Sequence, residues 1–214
     1  MSIRTEAEEH LRIIRSLMEK ATVYRAISAP GALIGGLCAV AAACGGRWLA
    51  HPWVSVPHPA FPFLAPWLAV LLIATVANFL LLARGAGQRG EPFLSPGMRL
   101  ALRAMLPGLL GGGGVTSLIF ACGPALVASF WVLFYGISLL AASHFAPKSI
   151  CWLGRAFFVA GLALLVGGFV VVADGEGGSQ FLAAQDIMGG TFGLFHLIYA
   201  ACTWPRGAAS QADA

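Results

Sequence analysis

Apolar residues fall into six long runs along the chain, separated by short polar or proline-rich links. Each run is close to the roughly 20 residues that an α-helix needs to cross the hydrocarbon core of a bilayer. The pattern therefore predicts an all-α, polytopic membrane protein whose transmembrane domain spans residues 25–204. The six predicted spans are Ala26–Gly45, Ala65–Ala83, Leu100–Ala121, Ala125–Ser143, Trp152–Val172 and Phe181–Trp204.

The two ends of the chain are polar. Within residues 1–24, Leu11, Ile14 and Leu17 recur at helical spacing among charged neighbours, which predicts an amphipathic helix on the cytoplasmic face. That helix is either a plain interfacial anchor or a docking element that binds a cytoplasmic protein partner through residues 5–24. Residues 205–214 are predicted to be a disordered cytoplasmic tail.

Composition supports the lipid environment. Hydrophobic residues make up 58% of the chain and charged residues only 10%, with a mean hydropathy of +0.82. Water-soluble domains carry about 25% charged residues. The net charge of +4 is not accompanied by a basic, aromatic patch, so we expect no nucleic acid partner.

The distribution of cations predicts the orientation. If the N-terminus is cytoplasmic, all of the 13 Lys and Arg residues except Arg47 lie in cytoplasmic segments or at the cytoplasmic ends of spans. Short cytoplasmic loops retain such an excess of positive charge. We therefore expect a multi-pass protein of the inner (plasma) membrane with both termini in the cytoplasm.

Small residues indicate where helices pack. Glycine lets two helix backbones approach closely, so glycine-rich spans tend to lie inside a bundle. The first, third and sixth spans are therefore predicted to be central, whereas the leucine-rich second span is predicted to face lipid. The glycines expected at helix contacts are Gly31, Gly35, Gly108, Gly112, Gly189 and Gly193.

Candidate binding residues come from polar positions inside the spans. Asp186 and His196 lie on one face of an ideal helix together with Gly189 and Gly193. An ionisable residue at membrane depth can indicate function, but we favour an interhelical hydrogen bond as the explanation for His196. His196 is expected to bond to Asn78 or Ser138, which lie at a similar depth. Tyr135 lies one helical turn above this layer. Asp186 is expected to meet outer water or a hydroxyl of the third span.

Several chemistries lack their signatures. We expect no cofactor and no metal site, since no pair of ligands has a tight helical spacing and the chain has no phosphate-binding loop or hydrolase motif. The five cysteines are scattered. Cys44 and Cys122 both lie at predicted outer helix ends, so a disulfide between them is compatible with the predicted topology.

The segment Leu11–Pro30, LRIIRSLMEKATVYRAISAP, resembles the start of a group of uncharacterised bacterial multi-pass membrane proteins. The resemblance covers about twenty residues and implies no activity. The sequence as a whole favours a non-enzymatic membrane sensor or partner-docking module. The pattern of apolar spans is also compatible with an oligomer. The alternative is a small-solute or ion transporter that uses Asp186 and His196.

Overall fold

The computed structural model describes residues 28–49, 60–88, 90, 93–94, 96–118, 122–143, 146–174 and 177–204. The predicted helix within residues 1–24 and the predicted tail at 205–214 lie outside them. The described part of the chain is helical and contains no β-strand. Its α-helices are α1 (Ala29–Trp48), α2 (Ala60–Gln88), α3 (Pro96–Gly114), α4 (Pro124–Ala141), α5 (Lys148–Asp174), α6 (Gly177–Met188) and α7 (Leu194–Thr203).

Two short elements of other helix types complete this set. A 3₁₀ turn, Val115–Leu118, follows α3 after a run of four glycines, and a π-helix, Gly189–Gly193, joins α6 to α7. We call the continuous unit formed by α6, the π-helix and α7 the C-terminal helix.

In the described part of the chain, five helices are long and apolar enough to cross a membrane: α1, α2, α4, α5 and the C-terminal helix. The helix α3 is not among them. It carries Arg99 and Arg103 near its start and ends in the glycine run, which lowers its apolar content below that of the others. The predicted third span is therefore a helix of 19 residues that is less apolar than the five candidate spans.

The helices run alternately up and down between two ends of the bundle. Ser28, the N-cap of α1, lies against Asn78 in the second half of α2, and we call this the Ser28 end. Ala43, near the other end of α1, shares a core cluster with Phe63 at the start of α2, and we call this the Arg47 end. The helices α1 and α2 are therefore antiparallel.

The helix α4 is the most buried of the bundle and packs against α3, α5 and α6. Gly123 turns the chain into α4 with a φ of 79°, a conformation that glycine adopts without steric cost, and Pro124 follows in the first helical turn. The contact with α5 is so close that a Cβ on Gly136 would lie 2.5 Å from the backbone nitrogen of Phe158. Gly161 of α5 similarly faces the backbone of Leu133.

The prediction that the third span is central is wrong. The helix α3 packs chiefly on α4, through Gly108 and Gly112, and exposes much of its remaining surface. Small residues permit close approach on one face, but they do not require contacts on the others. The leucine-rich helix α2 does expose its apolar side chains as expected: Leu68, Leu71, Leu72, Val76 and Leu80.

The core has two layers. The layer at the Arg47 end contains Ala39, Phe63, Trp67, Phe181 and Met188, from α1, α2 and α6, together with residues of α4. The layer at the Ser28 end is formed by α1, α4, α5 and α7 around the following residues: Ala32, Val132, Leu139, Phe157 and Tyr199. Each layer holds one of the polar clusters described next.

Candidate functional sites

The π-helix changes which residues of the C-terminal helix face α1. The N–H of Leu194 donates to the carbonyl of Gly189, five residues back, instead of four. Each π-helical turn uses one extra residue, so positions after it are rotated by roughly 100° relative to an uninterrupted α-helix. The predicted face, which assumed a straight helix, is therefore broken near Gly193.

The residues that do face α1 are Gly189, Gly193 and Leu197. A Cβ on Gly189 would lie 2.7 Å from Ala43, and one on Gly193 would lie 2.8 Å from Val40. Leu197 packs on Gly36 one turn further along α1. His196, predicted to share this face, turns towards α4 instead.

His196 uses both ring nitrogens. Its Nδ1 is 2.8 Å from the backbone carbonyl oxygen of Phe192, and its Nε2 is 3.0 Å from the hydroxyl of Tyr135 on α4. A carbonyl oxygen can only accept, so Nδ1 carries the proton, and in the neutral ring Nε2 accepts from the Tyr135 hydroxyl. This assigns the tautomer and leaves neither nitrogen free.

The surroundings of His196 are aromatic. Phe157 of α5 lies at the centre, with ring centroids 4.8 Å from Tyr135, 5.0 Å from Phe192 and 5.4 Å from His196. Phe195 meets Phe157 edge-on at 5.2 Å. This aromatic cluster surrounds a hydrogen-bonded imidazole with apolar ring surface.

The partners predicted for His196 were wrong. Asn78 lies at the Ser28 end, where its Oδ1 accepts from the backbone N–H and the hydroxyl of Ser28 at 3.4 Å each. Ser138 donates to the carbonyl oxygen of Phe134, 2.8 Å away, and packs against Gly108 of α3. Of the candidate residues, the structure therefore brings together only Tyr135 and His196.

Asp186 lies at the surface of the Arg47 end. Its two carboxylate oxygens are 2.5 and 2.6 Å from Nη1 of Arg47, and both side chains are about half exposed. The hydroxyls of the third span that were expected to reach Asp186 bond to their own helix, since Thr116 donates to Gly112 and Ser117 donates to Gly114.

A polar contact that sequence reasoning missed lies next to Asp186. Gln185 is fully buried, and its Oε1 accepts from the indole N–H of Trp67 at 3.0 Å. Its Nε2 has no hydrogen-bond acceptor among the described residues. Gly46 leaves room for this amide, because a Cβ there would lie 2.5 Å from Gln185 Nε2. The sequence signal that could have identified this contact is an amide, Gln185, directly before Asp186 in an apolar run.

Trp131 of α4 joins this end to α3. Its indole N–H lies 3.1 Å from both the carbonyl oxygen of Gly112 and the hydroxyl of Thr116, and its ring stacks on Phe63 at 5.8 Å. Gly112 contacts Phe134 on the same side of α4. The glycine run thus exposes a backbone acceptor that the indole uses.

The remaining predicted glycines also lie at helix contacts: Gly31 faces Asn78 and Gly35 faces Ala74, both on α2. All five cysteines are free thiols, including Cys44 and Cys122. Within the described ranges, no group of three or more His, Cys, Asp or Glu side chains could hold a metal ion.

No family model matches the chain, and neither the curated proteins nor the solved structures that were searched contain a match. The arrangement of the residues therefore carries the functional argument by itself.

Proposed function

We propose that the protein is a non-enzymatic, six-span protein of a bacterial inner membrane, in which a rigid helical bundle presents the N-terminal helix to a cytoplasmic partner. The bundle acts as a platform and residues 5–24 act as the docking or sensing element. Both termini are cytoplasmic in this proposal.

The observation that carries the proposal is the complete hydrogen bonding of His196. Its Nε2 bonds to the hydroxyl of Tyr135 on α4 and its Nδ1 to the carbonyl oxygen of Phe192, which is the pattern of a structural hydrogen bond between helices. Asp186 pairs with Arg47 at the surface, about 15 Å away along the helix axis. The two groups that a transport mechanism would use are thus separate interhelical or local contacts.

The course of the chain supports α3 as a membrane span in addition to the other five. The helix α2 ends near the Ser28 end, and α4 starts at the Arg47 end, so α3 leads from one to the other. Gly108 lies against Ser138 and Thr116 lies near Trp131, which makes α3 antiparallel to α4. With its 3₁₀ turn, α3 is about 36 Å long, enough to cross the hydrocarbon core.

Cysteine labelling tests this topology. Single cysteines at Ser55 and Gly178, in a variant without the five natural cysteines, should react with a membrane-impermeant thiol reagent on whole cells. A cysteine at Gly87, exposed in the last turn of α2, should react only after the membrane is permeabilised. Reaction of the Gly87 variant on intact cells would contradict the six-span, N-inside arrangement.

A photoreactive residue at Leu17 tests docking. If the N-terminal helix binds a protein, irradiation of cells should give a discrete, heavier protein adduct. Adducts with lipid alone would mean that the helix is a plain interfacial anchor. The same photoreactive residue at Leu72, which is exposed on α2, is the control and should give only lipid adducts.

Reconstitution separates the platform from a transporter. Purified protein in liposomes should dissipate proton and potassium gradients no faster than empty liposomes. His196→Gln keeps an acceptor for the Tyr135 hydroxyl but cannot titrate near neutral pH, so the variant should fold and behave like wild type. Wild-type flux that His196→Gln abolishes in a folded protein would overturn the proposal in favour of transport.

A further inference from the structure

One face of α5 carries cations and an indole at its start. Lys148, Trp152 and Arg155 are spaced by four and three residues, which places them on one side of the helix, and all three are exposed. The indole of Trp152 is 66% exposed, and the guanidinium carbon of Arg155 lies 5.0 Å from its ring centroid. The guanidinium is therefore held at the surface instead of being drawn into the bundle.

The same face continues as apolar surface. Val159, Leu162 and Val166 follow at helical spacing and are 64%, 44% and 76% exposed. The opposite face of α5 is occupied, since Gly154 and Gly161 pack on α4. From Arg155 to Val166 the helix rises about 16 Å, which matches one leaflet of a hydrocarbon core about 30 Å thick.

We propose that this face of α5 is a binding site for an anionic phospholipid. The phosphate lies between Lys148 and Arg155 beside the indole N–H of Trp152, and one acyl chain lies along Val159, Leu162 and Val166. The inference rests on the membrane location proposed above and names a specific lipid partner for one helix.

Charge decides which occupant fits. The described residues of the Ser28 end also include Arg84, Arg99 and Arg103, and no carboxylate among them neutralises Lys148 or Arg155. If two copies of the chain, inserted in the same direction, paired through α5, Lys148 and Arg155 of one copy would meet the same cations of the other, which is unfavourable. A zwitterionic headgroup adds its own cation, so an anionic headgroup is favoured.

Fluorescence quenching measures the lipid beside α5 directly. A single cysteine replaces Val159 in the variant without natural cysteines and carries a bimane dye. The protein is reconstituted in phosphatidylcholine with increasing amounts of brominated phosphatidylglycerol or brominated phosphatidylcholine. Half-maximal quenching should need an about 25-fold lower mole fraction of the brominated anionic lipid, since each of the two cations attracts such lipids by a factor of about five.

Two charge-matched variants locate the preference. Lys148→Gln with Arg155→Gln should remove it. Arg99→Gln with Arg103→Gln removes the same charge from the same end but should retain it, because these residues lie on α3. A dye at Leu72 of α2 should show no preference for either lipid.

Four results would overturn the lipid site. Equal quenching by both lipids would show no selectivity, and an equal loss in both double variants would show only diffuse attraction to surface charge. Shielding of the Val159 dye from both lipids would show that a second copy or another protein covers this face. Failure of the chain to incorporate into liposomes would overturn the membrane proposal as well, and is recognised by flotation before quenching is measured.

Discussion

The polar residues in the two halves of the C-terminal helix differ in how completely they are hydrogen-bonded. Before the π-helix, Gln185 and Asp186 face α1 and α2 at the Arg47 end, where one amide nitrogen lacks an acceptor among the described residues and the acid lies half in solvent. After the π-helix, His196 is enclosed by aromatic rings and both nitrogens are bonded. The first half thus has an incomplete polar contact, and the second half has a complete one.

This difference shows that the depth of a polar residue does not determine its role. A buried group contributes according to how completely its donors and acceptors are paired. Gln185 is fully buried and lacks one partner among the described residues, whereas His196 is only partly buried and has both. The incomplete contact, at Gln185, lies beside the residue that first attracts notice in the sequence, Asp186.

The largest effect is expected where the two halves meet. Gly193→Leu should destabilise the protein by about 3 kcal/mol or prevent its folding, because the new side chain meets Val40 and the backbone of α1. Gly190→Leu is the matched control in the same π-helix. A Cβ at Gly190 meets nothing within 4 Å, so its effect should stay within about 0.5 kcal/mol. Unfolding in mixed micelles measures both, and equal losses would show that Gly193 does not pack on α1.

The contrast between complete and incomplete pairing predicts an intermediate effect. His196→Leu leaves the Tyr135 hydroxyl without its acceptor and should cost about 2 kcal/mol. Gln185→Met also orphans one donor, the Trp67 indole N–H, but it removes an unpaired amide nitrogen at the same time. Its cost should therefore be under about 1 kcal/mol. The contrast fails if Gln185→Met is the more damaging variant in the same unfolding assay.

The smallest effect is expected at the Arg47–Asp186 pair. Because both side chains are about half exposed, Arg47→Gln should cost well under about 1 kcal/mol, and high salt should reduce even that difference. Unfolding curves at low and high ionic strength measure it. A loss above about 2 kcal/mol that does not respond to salt would mean that the pair is buried in the membrane-embedded protein.

The sequence predicted much of the fold because hydrophobic run length reports directly on helices in lipid. The helical positions and the exposed surface of α2 followed from it. The position of α3 was not predicted correctly, because a high glycine content does not by itself place a helix at the centre of the bundle. Gly136 and Gly161 produce the closest α4–α5 contact from spans that were not counted as small-residue-rich.

The candidate site was predicted less well, for a local reason. The face holding Asp186 and His196 was drawn on an α-helix, and the π-helix at Gly189–Gly193 rotates His196 away from it. Three glycines in five residues offer little steric resistance to such a turn, but they do not specify it. Tyr135 was identified as a candidate residue, whereas its bond to His196 required the rotated geometry.

The central claim is that Asp186 and His196 are separate structural contacts, and a double-mutant cycle tests it most directly. Free energies of unfolding are measured for wild type, Asp186→Asn, His196→Gln and the double variant. Because the two residues have different partners and lie about 15 Å apart along the axis, their effects should add to within about 0.5 kcal/mol. A coupling energy above about 1 kcal/mol would contradict the claim and would show that the two residues act as one site.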